Sequence, residues 1–376
     1  MSEEYRVGLL GTGFAGRAHA HAILEARRFS RVLPKPYAVY SSSWERARDF
    51  ALRFMFEKSY TSWRDLISDP GVKLVINALP NYEHLEPSLE AIERGIPVLV
   101  EKPLGRSLDE ALEIAKASTR NSTPVAVGFN HRWLPAVQLL AQIVKRGLIG
   151  RVRYFRGAFL EDWAFDPEMG FSWRFSDEKA GYGVIGDNGS HVIDLARLLV
   201  GEIARVNSIS RTFIHERPSG KGEFRRVTND DVTAVIMEFE GGAIGVLESG
   251  RILPGRVNYM KVEVYGDKGA LMFDLERPDE LLYADYTLPE EERGLKRIRV
   301  TERSHPSIRG YWGKHSVGWA ASFSIQLSKL LESLENGRDY RPDAWDGAAV
   351  NAVLDAIKTS IREERWVSVK LVRRPG

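Results

Sequence analysis

The chain contains no cysteine, which excludes disulfides, thiolate metal sites and a cysteine nucleophile. It has no apolar run approaching the ~18–20 residues needed to cross a bilayer. Its first residues, Met1 to Arg6, are polar and lead into a strand, without the pattern of a secretory signal. A net charge of +2 leaves no single-sign field, so neither nucleic acid nor an anionic membrane is an expected partner. Apart from Asp187 and His191, a pair better suited to acid–base chemistry, the histidines show no ligand-like spacing with carboxylates, and no metal is expected. What is present is the composition of an ordinary globular enzyme, 43% hydrophobic and 28% charged over 376 residues. That length exceeds one ordinary core and implies two or three domains, and a cytoplasmic location is the expectation.

The strand Arg6–Leu10 runs into Gly11-Thr12-Gly13-Phe14-Ala15-Gly16 and then a helical stretch to about Arg27. A glycine triplet of this spacing is weak alone, but here it follows a strand and opens a helix, the context that gives it meaning. Gly11 permits a tight turn, Gly13 lets backbone approach a pyrophosphate, and Gly16 lets helix and strand pack closely. The free N–H groups near Phe14 and Ala15 would then meet phosphate at the positive helix end. The next strand ends at Ser41-Ser42-Ser43-Trp44-Glu45-Arg46, with no carboxylate at its first position. An acidic residue there accepts from the ribose of NAD, whereas hydroxyls and a guanidinium suit a 2′-phosphate. NADP is therefore the preferred cofactor, with NAD as the alternative. Ser43 also fits as the N-cap of a helix that starts at Trp44.

Strand and helix continue to alternate through Leu74–Ala78, His84–Arg94, a strand over 98–100, Leu108–Ser118 and Val125–Gly128. This is a doubly wound parallel sheet of about six strands. Leu79, Pro80 and Asn81, with His84 after them, leave one strand at the edge where ligands bind in such sheets. At that same edge the buried run Pro97–Val100 ends in Glu101-Lys102-Pro103, because proline cannot extend a ladder. A lysine there is held by the sheet, although the pair also fits a solvated strand end.

Beyond Gly128 the pattern changes. After a helix near Pro135–Arg146, the segments Val152–Phe159, Val206–Ile214, Val232–Phe239, Ala243–Ile252, Met260–Tyr265 and Ala270–Phe273 alternate or are β-branched, with tight turns between several of them. They predict a large, mostly antiparallel open sheet in an α+β domain. The division expected is a dinucleotide-binding domain over 1–129 and a substrate-binding and oligomerisation domain over 130–376. Within the latter, Gly186-Asp187-Asn188-Gly189-Ser190-His191 opens an apolar helix. If helical spacing reaches back to Asp187, its carboxylate faces His191, orients the imidazole and raises its pKa. An aspartate N-cap beside a packed histidine fits the same residues.

The glycine triplet, Glu101-Lys102-Pro103, Gly128-Phe129-Asn130-His131-Arg132, Trp173-Arg174 and Gly-Asp-x-Gly-Ser-His-x-x-Asp occur in the order of the glucose-fructose oxidoreductase / inositol dehydrogenase / MocA-like family. The chain resembles that family over nearly its whole length, including Trp312–Gly318 and Asp346–Val369. The resemblance implies that Lys102 binds the reacting hydroxyl, that His191 accepts its proton and that Asp187 orients it and touches substrate. It also implies a Lys102–Pro103 peptide that is often cis, and a 2′-phosphate held by Ser41 and Arg46. Trp319 stands where many relatives carry tyrosine, and Tyr182 interrupts the usual glycine run before Asp187.

The expected function is hydride transfer between nicotinamide and a hydroxyl or carbonyl carbon of a sugar or cyclitol. Arg132, Trp163, Trp173, Arg174, Trp312 and His315 are the further candidates for holding the carbohydrate. Homodimers or homotetramers would form through the open sheet. The alternative is a catalytically inactive NAD(P)-sensing regulator on the same fold, whose expected mark is loss of the lysine or the histidine. Both are present.

Overall fold

In the computed structural model residues 4–305 and 310–375 are described; Met1–Glu3 of the polar start lie outside them. The first half runs β1 (Glu4–Leu10), α1 (Phe14–Ala26), β2 (Leu33–Tyr40), α2 (Trp44–Phe54), β3 (Lys58–Tyr60), α3 (Trp63–Ser68), β4 (Leu74–Asn77), α4 (Leu85–Glu93), β5 (Val98–Val100), α5 (Leu108–Arg120) and β6 (Val125–Val127). β4 and β5 are buried at every residue, as central strands covered by helices on both faces must be; β6, at the sheet edge, is equally buried, and its Val127 N–H donates outward to the Pro342 carbonyl. All pairings are parallel, in the order β3-β2-β1-β4-β5-β6. The order reverses between β1 and β4, and the crevice outside their C-terminal ends is the ligand position of such a sheet.

The second half begins with α6 (Pro135–Lys145), β7 (Val152–Leu160), α7 (Asp177–Ala180) and α8 (Ser190–Leu199). It continues through β8 (Ile203–Arg211), β9 (Glu216–Gly220), β10 (Glu223–Arg226), β11 (Val232–Phe239), β12 (Ile244–Gly250), β13 (Tyr259–Gly266), β14 (Gly269–Asp274), β15 (Glu280–Asp285) and β16 (Leu295–Arg299). The long helices α9 (Ala321–Glu335) and α10 (Ala344–Glu363) precede the short β17 (Val367–Ser368). Nine strands form one sheet in the order β16-β15-β14-β13-β7-β12-β11-β8-β17. Only the β7–β12 pair among them is parallel. Strands β9 and β10 stand apart as a hairpin. The strict alternation of buried and open residues along β11 shows one face packed and the other uncovered.

Two local features set the site. Gly157 on β7 has no side chain where a Cβ would fall 2.2 Å from Val192, so α8 presses directly on the sheet and carries the adjacent His191 with it. Helix α9 returns to the first half: Leu327, Leu330 and Leu331 join Leu9, Ile76, Leu99 and Ala126 in one apolar cluster. The Gln326 amide also donates to the Val127 carbonyl at 2.8 Å. No described helix is long and apolar enough to cross a membrane.

Candidate active site

The glycine turn behaves as its spacing requires. Gly11 has φ +102°, and a Cβ on Gly16 would meet the Gly11 carbonyl oxygen at 2.1 Å. A Cβ on Gly13 would meet no protein atom within 4 Å, so space is left in front of the first turn of α1. That opening is one end of a cavity of about 810 Å³, lined there by Gly11, Gly13, Phe14, Ala15, Ser41, Arg46, Leu79, Pro80 and Asn81. Gly16 is buried and packs the helix on the turn.

At the β2 tip the N-cap reading is met by Ser43, while Ser41 and the Arg46 side chain stay clear of it. Ser43 caps α2, accepting from the Arg46 N–H at 3.4 Å, and its hydroxyl donates to Glu45 at 2.8 Å. Ser41 accepts from the Thr12 hydroxyl at 3.3 Å. Arg46 donates to the Ser42 hydroxyl at 3.1 Å and has no carboxylate partner among the described residues.

Glu101 and His84 stabilise this edge through protein groups. The Glu101 carboxylate is 2.8 Å from His19 Nε2 and accepts from the Lys102 N–H at 3.2 Å. Burial pushes its pKa up, but the His19 contact and the Lys102 charge hold it below the ordinary value. The two His84 nitrogens lie 2.9 Å from the Pro103 and Leu79 carbonyls. His84 lines the same cavity, and its ring is held between two loops by these protein carbonyls. The Lys102–Pro103 peptide is cis.

Lys102 reaches across to the second half. Its Nζ donates to the Asp187 carbonyl at 2.6 Å and to the Asp187 carboxylate at 3.0 Å, and the other carboxylate oxygen lies 3.3 Å from Arg174 Nε. Burial raises the Asp187 pKa, yet the charges of Lys102 and Arg174 outweigh it and hold the carboxyl well below its usual range. The expected Asp187–His191 pairing is absent for this reason: two cations occupy the carboxylate. A π-helical turn over Ile185–Gly189 also replaces the α-helical spacing on which that pairing rested.

His191 is instead oriented by rings. Phe129, Phe159 and His131 surround it at centroid distances of 6.2, 6.1 and 4.1 Å. Its Nδ1 is buried with no partner. Burial, then His131 and Lys102, push its pKa well below the ordinary histidine value, not above it. The imidazole is thus neutral at neutral pH, the form that can accept a proton.

Of the remaining carbohydrate candidates, Trp163, Trp173 and Arg174 line the cavity with Lys102, Asp187 and His191. Arg132 does not. It is buried in a bidentate pair with Asp194 at 2.5 and 2.6 Å, a partner 62 residues away that no local pattern announces. Trp312 and His315 also lie elsewhere. Their segment packs on the end of α1, where Phe29 meets Tyr311 and Arg28 covers the 71% exposed Trp312 ring. His315 is exposed and turned to the Gly313 carbonyl.

Among the cavity residues to which the sequence assigned no role, Glu161 stands out. Glu161 follows β7 and accepts from the Asn188 amide at 2.9 Å. Burial and then the Asp187 charge push its carboxyl up to about 7. Its position one residue beyond a predicted strand, two before Trp163, was the available signal. His131, quoted above only within its motif, and Trp319, noted only as a departure from tyrosine, also line the cavity.

A dinucleotide-binding sheet whose cleft is closed by a second domain, with a lysine from one wall and a histidine from the other, defines a nicotinamide-dependent oxidoreductase. The comparisons agree. The chain belongs to the Gfo/Idh/MocA family: residues 5–129 match the oxidoreductase family, NAD-binding Rossmann fold, and residues 137–272 match the GFO/IDH/MocA C-terminal domain. It is 35% identical to levoglucosan dehydrogenase of Pseudarthrobacter phenanthrenivorans, over 98% of both chains. Inositol 2-dehydrogenase of Acidothermus cellulolyticus is 26% identical over 96% of this chain and 94% of its own. A solved levoglucosan dehydrogenase, in complex with NADH and levoglucosan, superposes with a TM-score of 0.95 at 36% identity, covering 98% of this chain and 100% of that one.

Proposed function

We propose that the chain oxidises a secondary hydroxyl of a sugar or cyclitol reversibly, with NADP preferred over NAD. The observation that carries the reaction is the meeting of Lys102 and Asp187 from opposite halves in the cavity that His191 also lines. The residues fit a dinucleotide: open space in front of Gly13, an α1 start without a side-chain cap, and the Arg46 guanidinium, whose side-chain partner among the described residues is the Ser42 hydroxyl. Bound nicotinamide supplies the hydride acceptor. Lys102 holds the reacting hydroxyl and stabilises negative charge as it develops on oxygen. His191 takes the hydroxyl proton at Nε2, its Nδ1 being buried. Asp187 anchors the Lys102 ammonium, while Trp163 and Trp173 offer ring faces to the carbohydrate.

Ser41 and Arg46 support the cofactor choice, since both can donate to a 2′-phosphate and the β2 tip carries no carboxylate at its first position. Steady-state assays of sugars and cyclitols with both cofactors test this reading. Arg46→Ala is expected to weaken NADP by roughly 10- to 100-fold, the size of a charge-assisted hydrogen bond, and to leave NAD little changed. Equal or better turnover with NAD by the unaltered protein refutes the preference. The uncovered sheet face, with Ile209, Ile236 and Ile244 open to solvent, supports a homodimer or homotetramer, which light scattering measures.

A further inference from the structure

Trp319 stands immediately before α9, partly buried between Phe14 at 5.9 Å and Phe323 at 5.0 Å. Its indole Nε1 lies 3.1 Å from His131 Nε2. An indole N–H can only donate. His131 Nε2 therefore accepts, carries no proton, and the neutral ring bears its hydrogen on Nδ1. That nitrogen is buried with no oxygen or nitrogen partner, and the ring meets Phe159 and His191 edge to face.

The consequence lies in the neighbour. His131 and His191 both line the cavity into which Lys102 projects, with ring centroids 4.1 Å apart and planes at 84°. Two imidazoles so close are two potential acceptors for one hydroxyl proton, and only one can be placed correctly for the reaction. We propose that Trp319 is a positioning residue: by occupying His131 Nε2 it removes that nitrogen from the acceptors offered to substrate, so the hydroxyl bonds to His191 alone. The inference rests on the dehydrogenase reading above. Lys102 and Glu101 are the charged groups acting on His131, Lys102 is the one acting on His191, and Asp187 and Glu161 line the same cavity. Burial and Lys102 together hold His131 down to about 3, so its competition would be as a neutral acceptor and not as a cation.

Two measurements test this. In the protein labelled with ¹⁵N-histidine, with and without NADPH, His131 is expected as the pure Nδ1–H tautomer; a proton on Nε2, or an averaged tautomer, overturns the proposal without any turnover being needed. In kinetics, Trp319→Phe keeps a ring against Phe14 and Phe323 but frees Nε2, and is expected to lower kcat roughly 3- to 10-fold, the size of one misplaced hydrogen bond. In a His131→Phe background there is no competing nitrogen, and the same Trp319→Phe change is expected to cost little. A loss of equal size in both backgrounds would assign Trp319 to packing and overturn the proposal. If no substrate is turned over at all, the functional reading fails while the tautomer result still stands or falls by itself.

Discussion

Replacing Lys102 by methionine removes the ammonium while keeping most of the stem. The Lys102 side chain is only 15% exposed, so its charge acts through a poorly solvating medium. At an effective dielectric of ~20 and a separation of ~3 Å, a full alkoxide charge would interact with it by about 5–6 kcal/mol. The transition state carries roughly half that charge, which gives about 3 kcal/mol, or about 100-fold in kcat. Losing one oxyanion donor elsewhere costs a similar ~10²–10³-fold. The substitution has a second signature in pH. After burial and His131, Lys102 is a cause of the low His191 pKa, and it is the chief charge holding Asp187 down. Removing the cation lets the His191 pKa rise, so the protonated, inactive form persists to higher pH and the acid limb of kcat/KM moves upward. The assay is nicotinamide absorbance across the acid and neutral range, with NADPH binding followed separately by fluorescence. Near-normal turnover, an acid limb displaced downward, or a loss explained entirely by cofactor binding would each refute the reasoning.

Glu161→Gln is expected to abolish an ionisation near 7 in kcat/KM, because the carboxyl pushed up to about 7 gives up its O–H donor and becomes a charged, stronger acceptor as it ionises, which changes what it offers a substrate hydroxyl; KM should rise roughly tenfold. An unchanged profile would remove Glu161 from the substrate site. Arg132→Met leaves Asp194 charged and buried without its partner and should cost about 3–5 kcal/mol of stability, seen as a lower Tm. Adding Asp194→Leu should recover most of it, with NADPH affinity unaffected throughout. The two glycines separate fold from binding: Gly16→Ala forces a Cβ into the Gly11 carbonyl and should destabilise the protein. Gly13→Ala should melt normally and lose cofactor binding, because its Cβ enters only the space in front of α1.

How far the sequence could be read depended on whether a feature is local. Val232–Phe239 alternates strictly and forms β11 over those residues. The turn at Gly11–Gly16 and the strand end at Glu101-Lys102-Pro103 take their shape from glycine and proline within a few residues, and they sit where expected. β9, β10 and β16 are charged and largely solvent-exposed, so no buried period marks them. Distant partners decided the rest. Arg132 was taken by Asp194, Trp312 by Arg28, and the Asp187 carboxylate by a lysine 85 residues earlier. Residue type and spacing carry no record of such choices.

Because α9 supplies Leu327, Leu330 and Leu331 to the nucleotide-binding half, that half keeps an apolar face bare during synthesis until most of the polypeptide has been made. Cutting the gene after residue 129 would leave the same face open to self-association. The helix also begins two residues past Trp319, so the segment that finishes the first core holds the indole over the mouth of the cleft, and maturation of the sheet and assembly of the reaction chamber become one event.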